Sequence, residues 1–116
     1  MRPLSRWLPV LVWAGLIFAM SSLPGVSSGL GTWDLVLKKC AHAAGYAVLA
    51  VLLLRALGRQ LPAFVLAVLY AVSDEVHQTF VAGRHGSPRD VLIDAVGAAL
   101  GLLVAVRARA SLRTRV

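Results

Sequence analysis

Residues 71–80, AVSDEVHQTF, end a long apolar run with four side chains that can transfer protons or form hydrogen bonds. These are Asp74, Glu75, His77 and Gln78. A carboxyl group or an imidazole in this setting can act as a general acid or base, or can bind a ligand. At about 100° per residue, Asp74 and Gln78 lie centrally on one sector of a helix, with Glu75 and His77 on its flanks. The pattern predicts a polar site at one end of an apolar helix.

Further polar residues stand at the ends of two other apolar segments. Lys39, His42 and Tyr46 follow i, i+3, i+7 spacing, which places them on one stripe of a helix. Asp90 and Asp94 open a later segment, and we expect Asp90 to cap that helix. Charged groups inside a bilayer cost roughly 2.5–3.5 kcal/mol each even on the lenient insertion scale, so they find partners or line a cavity. We favour a cavity that binds or transforms a ligand over a purely structural network of ion pairs.

The elements that must position these residues are apolar segments. Of the 116 residues, 59% are hydrophobic and 15% are charged, which is more apolar than a typical soluble domain. Four segments, at about 7–23, 36–57, 61–80 and 91–106, each approach the roughly 20 residues that cross a bilayer core. The first also resembles a signal peptide, but it lacks an A-x-A-like cleavage site, so we expect a retained helix. We therefore predict one all-α domain over residues 1–116, an integral membrane bundle of four helices.

The distribution of basic residues predicts the orientation of this bundle. The net charge is +7, and arginines flank the first segment, the turn between the second and third, and the end of the fourth. The positive-inside rule places these three regions, and both termini, in the cytoplasm. No basic stripe is interleaved with exposed aromatic residues, so we expect no binding to nucleic acid.

Three stretches resemble the VanZ-like family of small bacterial membrane proteins. They are FAMSSLP at 18–24, KCAHAAGYAVLAVL at 39–52 and SDEVHQTFVAGRHGSPRDVLIDAVGAALG at 73–101. The resemblance implies a multi-pass protein of the bacterial cytoplasmic membrane and extends to Lys39, His42, Tyr46, Asp74, Glu75, Gln78, Arg84 and Asp90. The chain departs from the family at Asp94, where Asn is usual, and at Leu23, which replaces a polar residue.

The family is named for a member linked to low-level resistance to teicoplanin, so we expect a role in the envelope and a contribution to glycopeptide tolerance. The partner we predict is a membrane lipid or a lipid-linked envelope precursor. The candidate acid and base groups are Glu75, Asp74 and His42. The candidate binding residues are Lys39, Tyr46, Gln78, Arg84, Asp90 and Asp94. These residues do not specify a reaction.

Two other interpretations stay open. A small proton-coupled exporter would act as a homodimer, formed through the small-residue face of Gly97 and Gly101. A metal site of Asp74, His77 and His42 has suitable ligand types, but no H-E-x-x-H spacing is present. We expect no metal and no cofactor.

Overall fold

The structure, a computed structural model, describes residues 2–22, 32–81 and 88–115. These residues form four α-helices: α1 at Pro3–Ser22, α2 at Thr32–Leu57, α3 at Gln60–Gln78 and α4 at Pro88–Arg115. The prediction of an all-helical chain with four helices is confirmed.

The last helix is longer than the apolar pattern predicts. It was expected to end near residue 106, but α4 continues to Arg115. Residues 107–115 are mostly Arg, Ala and Leu, which favour helix, and they contain neither Gly nor Pro to stop it. The apolar residues therefore cover only the central part of α4. The residues after them have high helix propensity and extend the helix.

Three of the four helices are long and apolar enough to cross a membrane. The spans are Pro3–Ser22, Val36–Leu57 and Pro88–Ser111. Helix α3, whose last turns contain two acids, a histidine and a glutamine, is not among these spans. Its crossing, like the orientation of the termini, stays a prediction.

Helix α2 is the centre of the fold, since it packs against α1, α3 and α4. Among the described residues α1 touches only α2 and α3, so it lies at the edge of the bundle. The buried face of α3 is a row of alanines at i, i+4 spacing, Ala63, Ala67 and Ala71. Many large apolar side chains, such as those of Leu11, Leu69 and Val104, are exposed on the outside instead. An apolar exterior around buried polar groups is what a lipid environment favours.

Two glycines of α4 allow its close approach to α2. A Cβ atom on Gly97 would lie 2.3 Å from the carbonyl oxygen of Ala43, and one on Gly101 would lie 2.6 Å from that of Ala47. The small-residue face expected to join two copies therefore packs within the chain. A homodimer stays a prediction, and this packing argues against forming it through Gly97 and Gly101.

A tight turn joins α2 to α3. Gly58 has a φ of +76°, a backbone conformation that other residues rarely adopt. Its N–H donates a 2.7 Å hydrogen bond to the carbonyl of Leu54, closing the end of α2. Arg59 follows in an extended conformation and precedes the first residue of α3.

Candidate functional site

Polar side chains from α2, α3 and α4 meet at the end of the bundle where α2 and α4 begin and α3 ends. We call this group the polar cluster: Lys39, His42, Tyr46, Asp74, Glu75, Gln78, Asp90 and Asp94. Five of its members, Tyr46, Asp74, Glu75, Gln78 and Asp94, are buried. Eight of the nine residues predicted for catalysis or binding thus lie on these three helices, and two of the eight, Lys39 and Asp90, lie at the rim.

The stripe of α2 contacts an acid from a neighbouring helix at each of its three positions. At the rim, Lys39 Nζ donates a hydrogen bond to Asp90 Oδ1 and forms an ion pair with it. One turn deeper, His42 Nδ1 lies 3.7 Å from Asp94 Oδ1. Deepest, the Tyr46 hydroxyl is 3.3 Å from Asp74 Oδ2 and donates to it.

Asp90 does not cap α4 as expected. The helix begins at Pro88, so Asp90 lies in its first turn, and its carboxylate turns to Lys39 of α2. A first-turn acid still interacts favourably with the positive end of the helix dipole. Proline suits the first position of a helix, so α4 begins at Pro88, before Asp90.

Two buried carboxylates each have an oxygen without a hydrogen bond among the described residues. These oxygens are Oδ1 of Asp74 and Oδ1 of Asp94. The 3.7 Å separation between Asp94 and His42 exceeds hydrogen-bond length, so that contact does not satisfy the oxygen. Buried polar atoms are nearly always hydrogen-bonded, so each of these oxygens can accept a hydrogen bond from water or from a ligand.

The end of α1 attaches to α3 through polar contacts that the predicted site does not include. Gln78 Nε2 donates to Ser21 Oγ at 3.4 Å, and Ser22 Oγ lies 2.9 Å from His77 Nε2. The ring of Phe18 stacks on that of His77, with centroids 4.4 Å apart. The sequence signal was the pair of serines at the end of an apolar helix, but only the fold shows that they face α3.

A cavity of about 440 Å³ lies between α1 and α2 and reaches the polar cluster. Its polar end includes His42, Tyr46 and Lys38. The rest of its lining, mostly apolar, is Trp13, Leu16, Ile17, Met20, Ser21, Ala41 and Gly45. The volume suits a small ligand or part of a larger one. The sequence predicts a cavity lined by polar residues of three segments, whereas this cavity opens on the α1 side of the polar cluster.

Two hydrogen bonds hold α1 beside this cavity. Trp13 Nε1 donates to the carbonyl of Gly45 at 2.9 Å, and the Tyr70 hydroxyl donates to the carbonyl of Ala14 at 2.5 Å. Both connect a large aromatic side chain to the backbone of a neighbouring helix. The cavity therefore has a defined wall, although α1 buries little of its own surface.

One of the predicted binding residues, Arg84, lies in residues 82–87, outside the described residues. Glu75 is buried on α3 and already makes polar interactions there. Its candidate role as an acid or base stays a prediction.

The described side chains do not support the metal hypothesis. No group of three His, Cys, Asp or Glu residues among them could hold a metal ion. His77, one of the three expected ligands, contacts Ser22 and Phe18 of α1.

The polar cluster offers more acceptors than donors at its buried end. Ionised carboxylates only accept hydrogen bonds, and their unsatisfied oxygens would receive hydroxyl or amino groups of a ligand. The cation at the rim, Lys39, is already paired with Asp90. The geometry therefore suits a ligand with a polar, donor-rich head and an apolar tail along α1.

Comparison with known proteins gives one result. No curated protein and no solved structure matches the chain. The sequence profile of VanZ/LLP1 matches residues 6–109, nearly the whole of the four-helix fold and all of the polar cluster. With three helices long and apolar enough to span a bilayer, the chain is a membrane protein, and it belongs to the VanZ/LLP1 family.

Proposed function

We propose that this protein binds or processes an envelope lipid or a lipid-linked envelope precursor. The observation that carries the proposal is the cavity between α1 and α2, which joins apolar residues to the polar cluster. An amphiphilic ligand would place its chain along Leu16, Ile17 and Met20 and its head near His42 and Tyr46.

The unsatisfied carboxylate oxygens restrict the chemistry of the head. Asp74 Oδ1 and Asp94 Oδ1 need hydrogen-bond donors. A head with hydroxyl, amide or amino groups, such as a sugar or a peptide, supplies them, whereas a phosphodiester group by itself supplies none. We therefore favour a lipid-linked precursor or a glycolipid over a lipid whose head carries no such donors.

The location proposed for the site is the outer leaflet of the bacterial cytoplasmic membrane. The arginine-rich regions beside α1, between α2 and α3, and along the end of α4 would face the cytoplasm. The polar cluster lies at the opposite end and would then face the envelope. Binding a precursor there would affect tolerance of glycopeptides such as teicoplanin, which act on the outside of the membrane.

A blocked cavity tests the proposal. Ala41 lines the cavity, whereas Ala44, on the same helix and also exposed, does not. We expect Ala41→Trp to reduce the lipid or lipid-linked precursor that co-purifies with the protein by about tenfold, equivalent to about 1.4 kcal/mol. Ala44→Trp is the matched control and should retain the wild-type amount, as measured by mass spectrometry of the extracted lipids.

The same two variants should also differ in their effect on teicoplanin tolerance in cells. In a strain that depends on this gene for teicoplanin tolerance, Ala41→Trp should lower the inhibitory concentration, and Ala44→Trp should not. Equal lipid content and equal tolerance in both variants, at matched membrane levels, would refute the proposal. Drug-linked proton flux in reconstituted vesicles would instead favour the exporter.

A further inference from the structure

A second cavity lies at the end of the bundle opposite the polar cluster. Its volume is about 400 Å³. Helices α2 and α4 and the turn before α3 form its walls, and the lining residues are Leu54, Gly58, Arg59, Gln60, Val106, Arg109 and Ala110. It shares no residue with the cavity beside α1.

Two arginines from different elements line this cavity. Arg59 belongs to the turn that Gly58 closes, and Arg109 lies on the extension of α4 beyond its predicted end. Neither makes an ion pair with another side chain in the part of the chain whose side chains the structure describes. Two cations that line one cavity without a protein anion attract an anion from the surroundings.

No acidic side chain among those that the structure describes lies near this end. Asp74, Glu75, Asp90 and Asp94 lie at the opposite end of the bundle, and Asp34 belongs to the first turn of α2. At 1.5 Å per helical residue, Arg109 is roughly 22 Å along α4 from Asp94, and the start of α3 is roughly 21 Å from Asp74. These distances are far beyond the roughly 4 Å of an ion pair, so the acids do not pair with the arginines.

The lining indicates which anion fits. A guanidinium is a planar fork that binds phosphate through two parallel hydrogen bonds. Leu54, Val106 and Ala110 add apolar surface beside the two arginines. A free phosphate ion has nothing to place against this surface, whereas a phospholipid has its glycerol and the start of its acyl chains.

We propose that this cavity is a second binding site, which holds the phosphate of an anionic phospholipid between Arg59 and Arg109. The site is independent of the envelope ligand proposed for the polar cluster. It would anchor the turn between α2 and α3 and the end of α4 to the lipid headgroups of one leaflet.

The test uses the full chain in neutral detergent micelles, which remove the general attraction of a charged bilayer. Native mass spectrometry would measure binding of added phosphatidylglycerol, with phosphatidylcholine and inorganic phosphate as the other two probes. For the wild type we expect retention of phosphatidylglycerol, weaker retention of phosphatidylcholine and no displacement of lipid by millimolar phosphate.

Two double substitutions distinguish lipid binding in the cavity from a general effect of positive charge. Arg59→Ala with Arg109→Ala should weaken phosphatidylglycerol binding about 30-fold, since each guanidinium that binds the phosphate directly contributes roughly a factor of five. Arg55 and Arg107 are exposed at the same end and do not line the cavity. Arg55→Ala with Arg107→Ala removes the same charge and should weaken binding by less than about threefold.

A conservative pair tests the geometry of recognition. Arg59→Lys with Arg109→Lys keeps both charges but loses the planar fork, and should give intermediate binding. Circular dichroism should show unchanged helix content in every variant. Equal losses in the cavity pair and the control pair would overturn the site, and equal binding of free phosphate and lipid would overturn the choice of ligand.

Discussion

Replacing Gly97 with alanine would test whether the contact between α2 and α4 sets the geometry of the polar cluster. The new Cβ would lie 2.3 Å from the carbonyl oxygen of Ala43 and 2.9 Å from its Cα. Ordinary van der Waals separation is about 3.5 Å, so the two helices must move apart by roughly 1 Å. The obstructing atoms belong to the backbone, which cannot rotate away as a flexible side chain would.

The change in the free energy of unfolding caused by Gly97→Ala follows from two opposing effects. Overpacking of this kind typically costs about 1–3 kcal/mol. Alanine also favours helix over glycine by about 0.8–1.0 kcal/mol. Gly15 provides the matched control, because it is also helical but a Cβ atom there meets nothing within 4 Å. Subtracting the two variants cancels helix propensity, and Gly97→Ala should be less stable than Gly15→Ala by about 1–3 kcal/mol.

The assay is unfolding of the purified protein by titration with a denaturing detergent, followed by circular dichroism. Asp94 lies one turn before Gly97, so the displacement should also separate Asp94 from His42 and reduce ligand binding. Equal stability of Gly97→Ala and Gly15→Ala would refute the close approach between α2 and α4. Conversion of a folded dimer to a folded monomer by Gly97→Ala would instead place this face between two copies.

Three further changes act on the polar cluster. Tyr46→Phe removes the hydrogen bond to Asp74, whose other oxygen already has no described partner, and should cost about 1–3 kcal/mol in unfolding titrations and abolish ligand binding. Lys39→Ala should cost less than about 1 kcal/mol, because more than a third of that side chain is exposed, and Lys39→Asp with Asp90→Lys should recover the loss. Asp94→Asn should retain folding and ligand binding, because an amide can both donate and accept where the carboxylate only accepts, whereas Asp94→Ala should lose both.

For each of these substitutions, a different outcome would contradict the reasoning behind the prediction. Wild-type stability of Tyr46→Phe would show that Asp74 finds another donor. A loss with Lys39→Ala that the charge swap does not recover would show that packing, and not pairing, gives this residue its role. Failure of Asp94→Asn to bind ligand would show that the negative charge of this residue is required.

Much of the fold is apparent from local pattern because each helix forms through contacts along the chain. Apolar runs of membrane length and the Gly/Pro-rich breaks between them predict four helices, and three prove apolar enough to span a bilayer. Helix ends are less predictable: α4 continues past Val106 because helix propensity and apolarity end at different residues. The spacing of Lys39, His42 and Tyr46 is likewise a local property, so their common stripe could be read from sequence.

The pairing of helices is a property of packing, which no single segment contains. The rotation of the helices and the depth of their overlap decide which side chains meet. They bring Lys39 to Asp90 and Tyr46 to Asp74. The small-residue face of Gly97 could pack against a helix of another copy or against a helix of the same chain. Only the tertiary structure shows that it packs against α2. Sequence alone determined which residues are too polar to face lipid, since that follows from the energetics of each side chain. The tertiary structure decided which of them meet and where the two cavities lie, because those depend on surfaces contributed by residues far apart in the chain.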